Sequence, residues 1–117
     1  MSARDGGTPP VPPAVPPRRT FTLEEARGLL PRVRELTEEA ARRYVQFGEG
    51  GIEAEEARHR VVEEWAERIL SLGLEIKGLW LVDFDSGAGY YCWKYPEHSL
   101  GHFHGYEEGF SGRVPLQ

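Results

Sequence analysis

Two histidines near the end of the chain have the spacing of a metal-ligand pair. His102 and His104 stand two positions apart in a segment of strand-like composition, and alternate residues of a β-strand project from the same face. Imidazole nitrogens and a carboxylate together form a common ligand set for divalent transition metals. We therefore predict a candidate metal site of His102, His104 and Glu97, with Asp83 as the alternative acidic ligand.

A second interpretation of the same region is a polar binding cluster of Asp83, Glu97, His104 and Arg113. The carboxylates can ligate a cation, the imidazole titrates near neutrality, and the planar guanidinium can hold an anion. Such a cluster would bind a divalent metal or a small anion, with minor acid/base activity by Glu97 and His104 as a further possibility. In the structural alternative, Arg113 only ties the C-terminal tail down through Asp83 or Glu97.

Nucleophilic catalysis finds little support in the sequence. Cys92 lies between two aromatic residues in a predicted strand with no cation predicted beside it, which is typical of an unreactive buried thiol. The serines with predicted turn positions have no identifiable base: Ser86, Ser99 and Ser111. We predict no catalytic residue, and the sequence leans toward a protein that is not an enzyme.

The elements that position these side chains are strands. Residues 79–84, 89–95 and 100–106 are rich in aromatic and β-branched residues, and residues 85–88 and 96–99 have turn composition. We expect a small three-stranded antiparallel sheet.

Four-residue turns would pair Trp93 with His102 and Tyr91 with His104. In that register Asp83 and Cys92 lie on the face opposite both histidines, although a one-residue change in a turn reverses the assignment. The residues expected to face the helices are Leu79, Leu81, Cys92 and Phe103. The residues expected on the other face are Trp80, Val82, Tyr91, Trp93, His102 and His104.

The first half of the chain has helical periodicity. Thr22 and Glu25 have the spacing of a capping box, which predicts a helix start. Pro31 follows within the same apolar pattern, so we expect a kink or a fresh start there. A second helix is predicted from about Ile52 to Leu72. Two amphipathic helices joined by a short glycine-containing connection should pack antiparallel.

These elements predict an α+β domain that follows a tail. Residues 1–20 are rich in proline and are expected to be disordered. Residues 21–117 would form a single domain, with the helix pair at about 22–72, the strands at about 79–106 and a C-terminal tail at 107–117.

Composition excludes several classes of partner. The chain has a formal net charge of −5 and no stripe of Lys and Arg, so we expect no nucleic-acid partner. No apolar run approaches the roughly 18 residues of a membrane span, and we expect no membrane partner. A single cysteine excludes an internal disulfide and fits a reducing compartment, so we predict a cytoplasmic location.

Self-association is the leading functional expectation from the residues alone. Trp80, Tyr91 and Trp93 would form an aromatic face that one helix pair cannot cover together with the opposite face of the sheet. Aromatic side chains of this kind are enriched in interface cores. We therefore expect a non-catalytic module that forms a homodimer or docks on another protein, whose identity the sequence does not indicate.

Four sequence blocks resemble a bacterial protein family defined by the domain of unknown function 2203. They are Phe21-Thr22-Leu23-Glu24-Glu25-Ala26 with Leu29-Leu30-Pro31, then Leu81-Val82-Asp83-Phe84, Tyr91-Cys92-Trp93, and Gly109-Phe110-Ser111-Gly112-Arg113-Val114-Pro115-Leu116. Glu97 and the Phe103-His104 pair also match the family pattern, whereas His102 does not. The resemblance extends from Phe21 to Leu116. It implies a shared fold but no activity, because the family is uncharacterised.

Overall fold

The computed structural model describes residues 19–116. Most of the predicted disordered tail, 1–20, therefore lies outside the described residues. The first helix, α1, spans Leu23–Gln46 and begins at the predicted capping box. The Thr22 hydroxyl accepts a hydrogen bond from the Glu25 amide at 3.0 Å, and the Glu25 carboxylate accepts one from the Thr22 amide at 2.9 Å.

Helix α1 continues through Pro31, so the expected fresh start there was wrong. Pro31 is exposed, and water can satisfy the carbonyl that loses its helical donor on this side. Leu30 and Val33, on either side of the proline, are buried in the core. Burial of these two residues on one continuous face stabilises the helix through Pro31, although proline has no amide hydrogen to donate.

Helix α2 spans Gly51–Ser71 and packs along α1, which confirms the predicted helix pair. A buried polar contact links the two helices, because the Trp65 indole donates to the Thr37 hydroxyl at 2.8 Å. Thr37 in turn donates to the Val33 carbonyl at 2.7 Å. The buried apolar residues of the pair form one core with the sheet.

The sheet is antiparallel, as predicted, but it has five strands rather than three. The order β1-β2-β3-β4-β5 follows the chain. The two additional strands are the short edge strands β1 and β5, whose sequences lack the aromatic and β-branched pattern used for prediction. The strands are β1 Glu75–Gly78, β2 Leu81–Asp85, β3 Tyr90–Lys94, β4 His102–His104 and β5 Val114–Pro115.

The predicted pairing between β3 and β4 was wrong by one residue. Cys92 lies opposite His102, and Tyr90 lies opposite His104. The physical reason is the connection at residues 95–101, which is longer than a four-residue turn and places Leu100 in the core at 1% exposure. Because side chains alternate along a strand, this register brings both histidines to the face that carries Cys92.

The face assignment of the sheet is consequently reversed for most residues. Val82, Phe84 and Trp93 are fully buried and join the core shared with the helices. Asp83 lies opposite Cys92 on the other face. The predicted helix-facing position of Leu79 was also wrong, since its side chain is 44% exposed. The sheet thus packs its aromatic face on the helices and presents its polar face away from them.

The aromatic surface proposed for self-association is therefore largely covered within the chain. Trp93 is fully buried. Trp80, in the turn between β1 and β2, packs edge-on against Trp65 and Tyr44, with ring centroids 4.9 Å and 5.7 Å away. The oligomeric state itself stays a prediction. Among residues 19–116, neither helix combines the length and the apolar character that crossing a bilayer requires.

Candidate metal centre

Asp83 and His104 form a buried pair on the polar face of the sheet. The Nε2 atom of His104 lies 2.9 Å from Oδ2 of Asp83, and the two side chains are 4% and 0% exposed. Asp83 is the central residue of β2, and His104 ends β4. Strand β3 separates them, so the long imidazole and the carboxylate meet across the position of a shorter side chain, Cys92.

The imidazole of His104 is oriented by the backbone. Its Nδ1 atom lies 2.8 Å from the carbonyl oxygen of Gly105. A carbonyl can only accept, so Nδ1 carries the proton and Nε2 is directed at Asp83. A neutral ring in this tautomer presents the Nε2 lone pair to the space between itself and the carboxylate. Backbone carbonyls hold metal-binding histidines in the same way.

The thiol of Cys92 completes a set of three potential ligands. Its sulfur, one carboxylate oxygen of Asp83 and a ring nitrogen of His104 all lie within 4.8 Å of one another. All three residues are buried. Among residues 19–116 this is the one set of three such side chains that converges on a common point.

Burial controls the ionisation of this set. Burial, together with the charge of the neighbouring Asp83, raises the pKa of the Cys92 thiol to about 12. Burial also raises the pKa of Asp83, and the adjacent His104, Cys92 and Lys77 offset only part of that effect. In addition, Oδ1 of Asp83 is buried and accepts no hydrogen bond of good geometry within residues 19–116, although the neighbouring Cys92 thiol is a weak donor to the Asp83 carboxylate. Such an oxygen is costly unless a cation or another donor satisfies it.

A second pair, Glu97 and Arg113, lies beside the first. The guanidinium contacts the carboxylate through two nitrogens, with Nη1–Oε1 and Nη2–Oε2 distances of 3.1 Å and 2.9 Å. The Lys94 amide also donates to Glu97 at 2.9 Å. Burial acts to raise the pKa of Glu97, but these donors outweigh it and the pKa is lowered. Arg113 therefore anchors the C-terminal segment through Glu97.

The two pairs are connected by Cys92. Nη1 of Arg113 lies 4.0 Å from the Cys92 sulfur, so the guanidinium faces the thiol from the side opposite Asp83. His102 lies near Glu97, with Nδ1 4.0 Å from Oε2, which exceeds hydrogen-bonding distance. The predicted cluster of Asp83, Glu97, His104 and Arg113 thus occupies one region as two pairs, joined by a residue outside the predicted set.

The predicted metal ligands do not gather as one set. His104 converges with Asp83 and Cys92, whereas His102 and Glu97 lie apart from that group. Cys92 was the residue that sequence reasoning missed as a ligand. Its neighbour Trp93 carried a usable signal, since a large apolar residue that faces the core turns the adjacent Cys92 to the polar face.

A cavity of about 350 Å³ opens onto the three converging residues. It lies between the polar face of the sheet and the segment that follows β4. Besides the ligand set, its lining includes the apolar side chains of Leu81 and Phe110 and the ammonium-bearing Lys77. A cation held by Asp83, Cys92 and His104 would border this space.

The structure defines a small α+β protein with a helix pair on one face of an antiparallel sheet and a buried polar cluster on the other. Residues 19–116 match the family DUF2203, described as an uncharacterized conserved protein. The chain belongs to that family. No curated protein and no solved structure matches it.

Proposed function

We propose that this protein binds a divalent transition-metal ion through Asp83, Cys92 and His104. The observation that carries the proposal is the convergence of a carboxylate oxygen, a sulfur and an imidazole nitrogen within 4.8 Å, all from buried residues. A thiolate and an imidazole favour zinc, cobalt or iron over magnesium and calcium, which take oxygen ligands.

The surroundings of the three residues support this assignment. The Gly105 carbonyl fixes the tautomer of His104 that leaves Nε2 available. Oδ1 of Asp83 is buried without a hydrogen bond of good geometry among the described residues, and a cation would be a stronger partner for it than the weak thiol donor of Cys92. Arg113 faces the sulfur and would stabilise the thiolate that a bound metal generates. A buried carboxylate whose charge is disfavoured costs stability unless a partner compensates it.

Metal analysis of the untagged protein tests the proposal. We expect one equivalent of zinc or cobalt to bind, with cobalt showing the intense charge-transfer absorption of a thiolate ligand. Cys92→Ser should abolish that absorption, and Asp83→Asn and His104→Ala should each lower affinity at least tenfold. His102→Ala is the matched control, because it removes an imidazole from the same strand and face. Wild-type protein that binds no metal, or a Cys92→Ser variant that retains the absorption, would refute the proposal.

A further inference from the structure

The cavity beside the three ligands suggests what the metal would do. Three protein ligands leave a tetrahedral ion with one open position, which is the arrangement of catalytic rather than structural zinc sites. All three residues line the same cavity. The open position would therefore point into this solvent-connected cavity rather than into packed protein.

We infer that the bound metal takes a small monocarboxylate with an apolar body as its fourth ligand, an inference that rests on the proposed metal site. The cavity volume of about 350 Å³ is at the lower end of the range for small-molecule sites. A carboxylate oxygen would replace water on the metal. The remainder of the molecule would lie in the cavity.

Two apolar side chains on the otherwise polar lining would contact the body of the ligand. Leu81 contributes to the wall next to Asp83, and Phe110 contributes from the segment across the cavity. The Phe110 ring is 42% exposed and contacts the Arg113 guanidinium, which lies 4.1 Å from its centroid. Burial of each methylene of a ligand against such walls is worth about 0.8 kcal/mol, or roughly a fourfold gain in affinity.

The charges around the cavity favour a single negative charge. Lys77 lines the cavity with its ammonium paired to Glu75 at 3.1 Å, so the bound metal itself would supply the charge that attracts an anionic ligand. The pKa of Lys77 is raised, because its contacts with Glu75 outweigh the opposing effect of burial. Two exposed carboxylates, Glu107 and Glu108, also lie on the lining. They would repel a second negative charge, so dicarboxylates and phosphate should bind less well than monocarboxylates.

Titration of the cobalt-loaded protein with carboxylates of increasing length tests the inference. Acetate, propionate and butyrate should each shift the visible ligand-field bands while the thiolate charge-transfer band remains. Affinity should rise about fourfold with each methylene. Leu81→Ala should reduce this increment while the affinity for acetate is kept. Leu70→Ala, which truncates an exposed leucine on α2, should leave the whole series unchanged.

Three outcomes would overturn the inference. Ligand-field bands that no carboxylate changes would show that the fourth position is closed. Equal affinities of the wild type for acetate and butyrate would show that the cavity does not bind the apolar part of the ligand. This outcome does not depend on whether the Leu81→Ala variant folds. Loss of the charge-transfer band during the titration would show that carboxylates extract the metal. Each of these requires that cobalt binds first, so failure of the metal site itself is recognised separately.

Discussion

The Nε2 atom of His104 lies 2.9 Å from Oδ2 of Asp83 in a pair almost fully withdrawn from solvent. At this distance the pair is a hydrogen bond that shares one proton. Two ligands of a tetrahedral ion with bonds of about 2.0–2.1 Å stand about 3.3 Å apart, so a metal ion bound to both would move the two atoms apart by about 0.4 Å. The Gly105 carbonyl oxygen lies 2.8 Å from the other ring nitrogen, Nδ1. Nε2 is therefore the ring nitrogen that can bind either a proton or a metal.

The Asp83→Asn substitution distinguishes between two roles of Asp83, as a metal ligand or as the structural partner of His104. The raised pKa of Asp83 means that the folded state binds its proton more tightly than the unfolded state. Its stabilising contribution is therefore present below the ordinary carboxyl pKa and is lost as pH rises through the raised value. An asparagine stays neutral. Without metal at neutral pH, the variant should melt at the same temperature as the wild type or a few degrees higher.

With saturating zinc, the order should reverse, because only the wild type gains stability from binding. Differential scanning calorimetry with chelator and with zinc measures both comparisons. A variant that is clearly less stable than the wild type in chelator would identify the carboxylate as a structural partner of His104.

Metal binding should release the proton of the Cys92 thiol. Its pKa of about 12 keeps the thiol neutral at ordinary pH, whereas only the thiolate ligates. Apparent zinc affinity should then rise about tenfold per pH unit from about pH 7 to about pH 8.5. Calorimetry in two buffers of different ionisation enthalpy counts the protons. If no proton is released, sulfur is not a ligand.

Arg113→Gln should weaken metal binding without removing a ligand. The variant loses the positive charge beside the Cys92 sulfur and the paired contact with Glu97. We expect a loss of roughly tenfold in affinity and a displaced thiolate charge-transfer band in the cobalt protein. Arg113→Lys keeps the positive charge but lacks the planar guanidinium that contacts Glu97 through two nitrogens. It should therefore keep part of the affinity that Arg113→Gln loses. An unchanged band and affinity in Arg113→Gln would leave Arg113 with a purely anchoring role.

Gly89→Ala should disturb the site from a distance. A Cβ atom at Gly89 would overlap Cζ of Phe103 and lie 2.9 Å from the carbonyl oxygen of His104. Strand β4 would have to shift, and His104 with it. We expect a loss of about 1–3 kcal/mol in the free energy of unfolding and weaker zinc binding.

Gly28→Ala is the control for that change. Gly28 lies inside α1, and nothing stands within 4 Å of its added methyl group. An alanine there should raise the unfolding free energy by about 0.5–1 kcal/mol. Chemical denaturation of both variants gives the comparison. Equal effects of the two substitutions would contradict the close packing at Gly89.

Trp80→Ala distinguishes an internal role of this ring from a role in self-association. Its contacts with Trp65 and Tyr44 are worth about 0.5–1.5 kcal/mol each beyond the area they bury. The variant should therefore unfold more easily. Sedimentation velocity on the same samples reports the oligomeric state. A wild-type dimer that dissociates in the variant, with unchanged stability, would instead favour the interface interpretation.

The helices were predictable because their signals are local. The Thr22–Glu25 capping box and the apolar period of 3.6 each lie within a few turns of chain. The edge strands were not predictable in the same way. Strand β1 carries two charged residues in four positions, and β5 has two residues. Their pairing with neighbouring strands, rather than their composition, makes them strands.

The candidate site was only partly predictable for the same reason. Asp83 and His104 were recognised by their chemistry, but their partner Cys92 depends on which face of β3 it occupies. The burial of Trp93 sets that face, and the connection at residues 95–101, with Leu100 buried in the core, sets whether His104 shares it. The composition of a turn does not reveal that one of its side chains is buried in the core, so the length of this connection could not be predicted. An error of one residue in that length moves the side chains of the next strand to the opposite face of the sheet.

The two faces of the sheet have a consequence for genetic screens. Val82, Phe84 and Trp93 on one face hold the domain together, while the alternate positions on the same strands carry Asp83 and Cys92. A reporter fused to the chain to select soluble expression would recover Asp83→Asn as readily as the wild type. Libraries scored only for solubility would therefore retain variants with an intact fold that lack a residue of the proposed metal site.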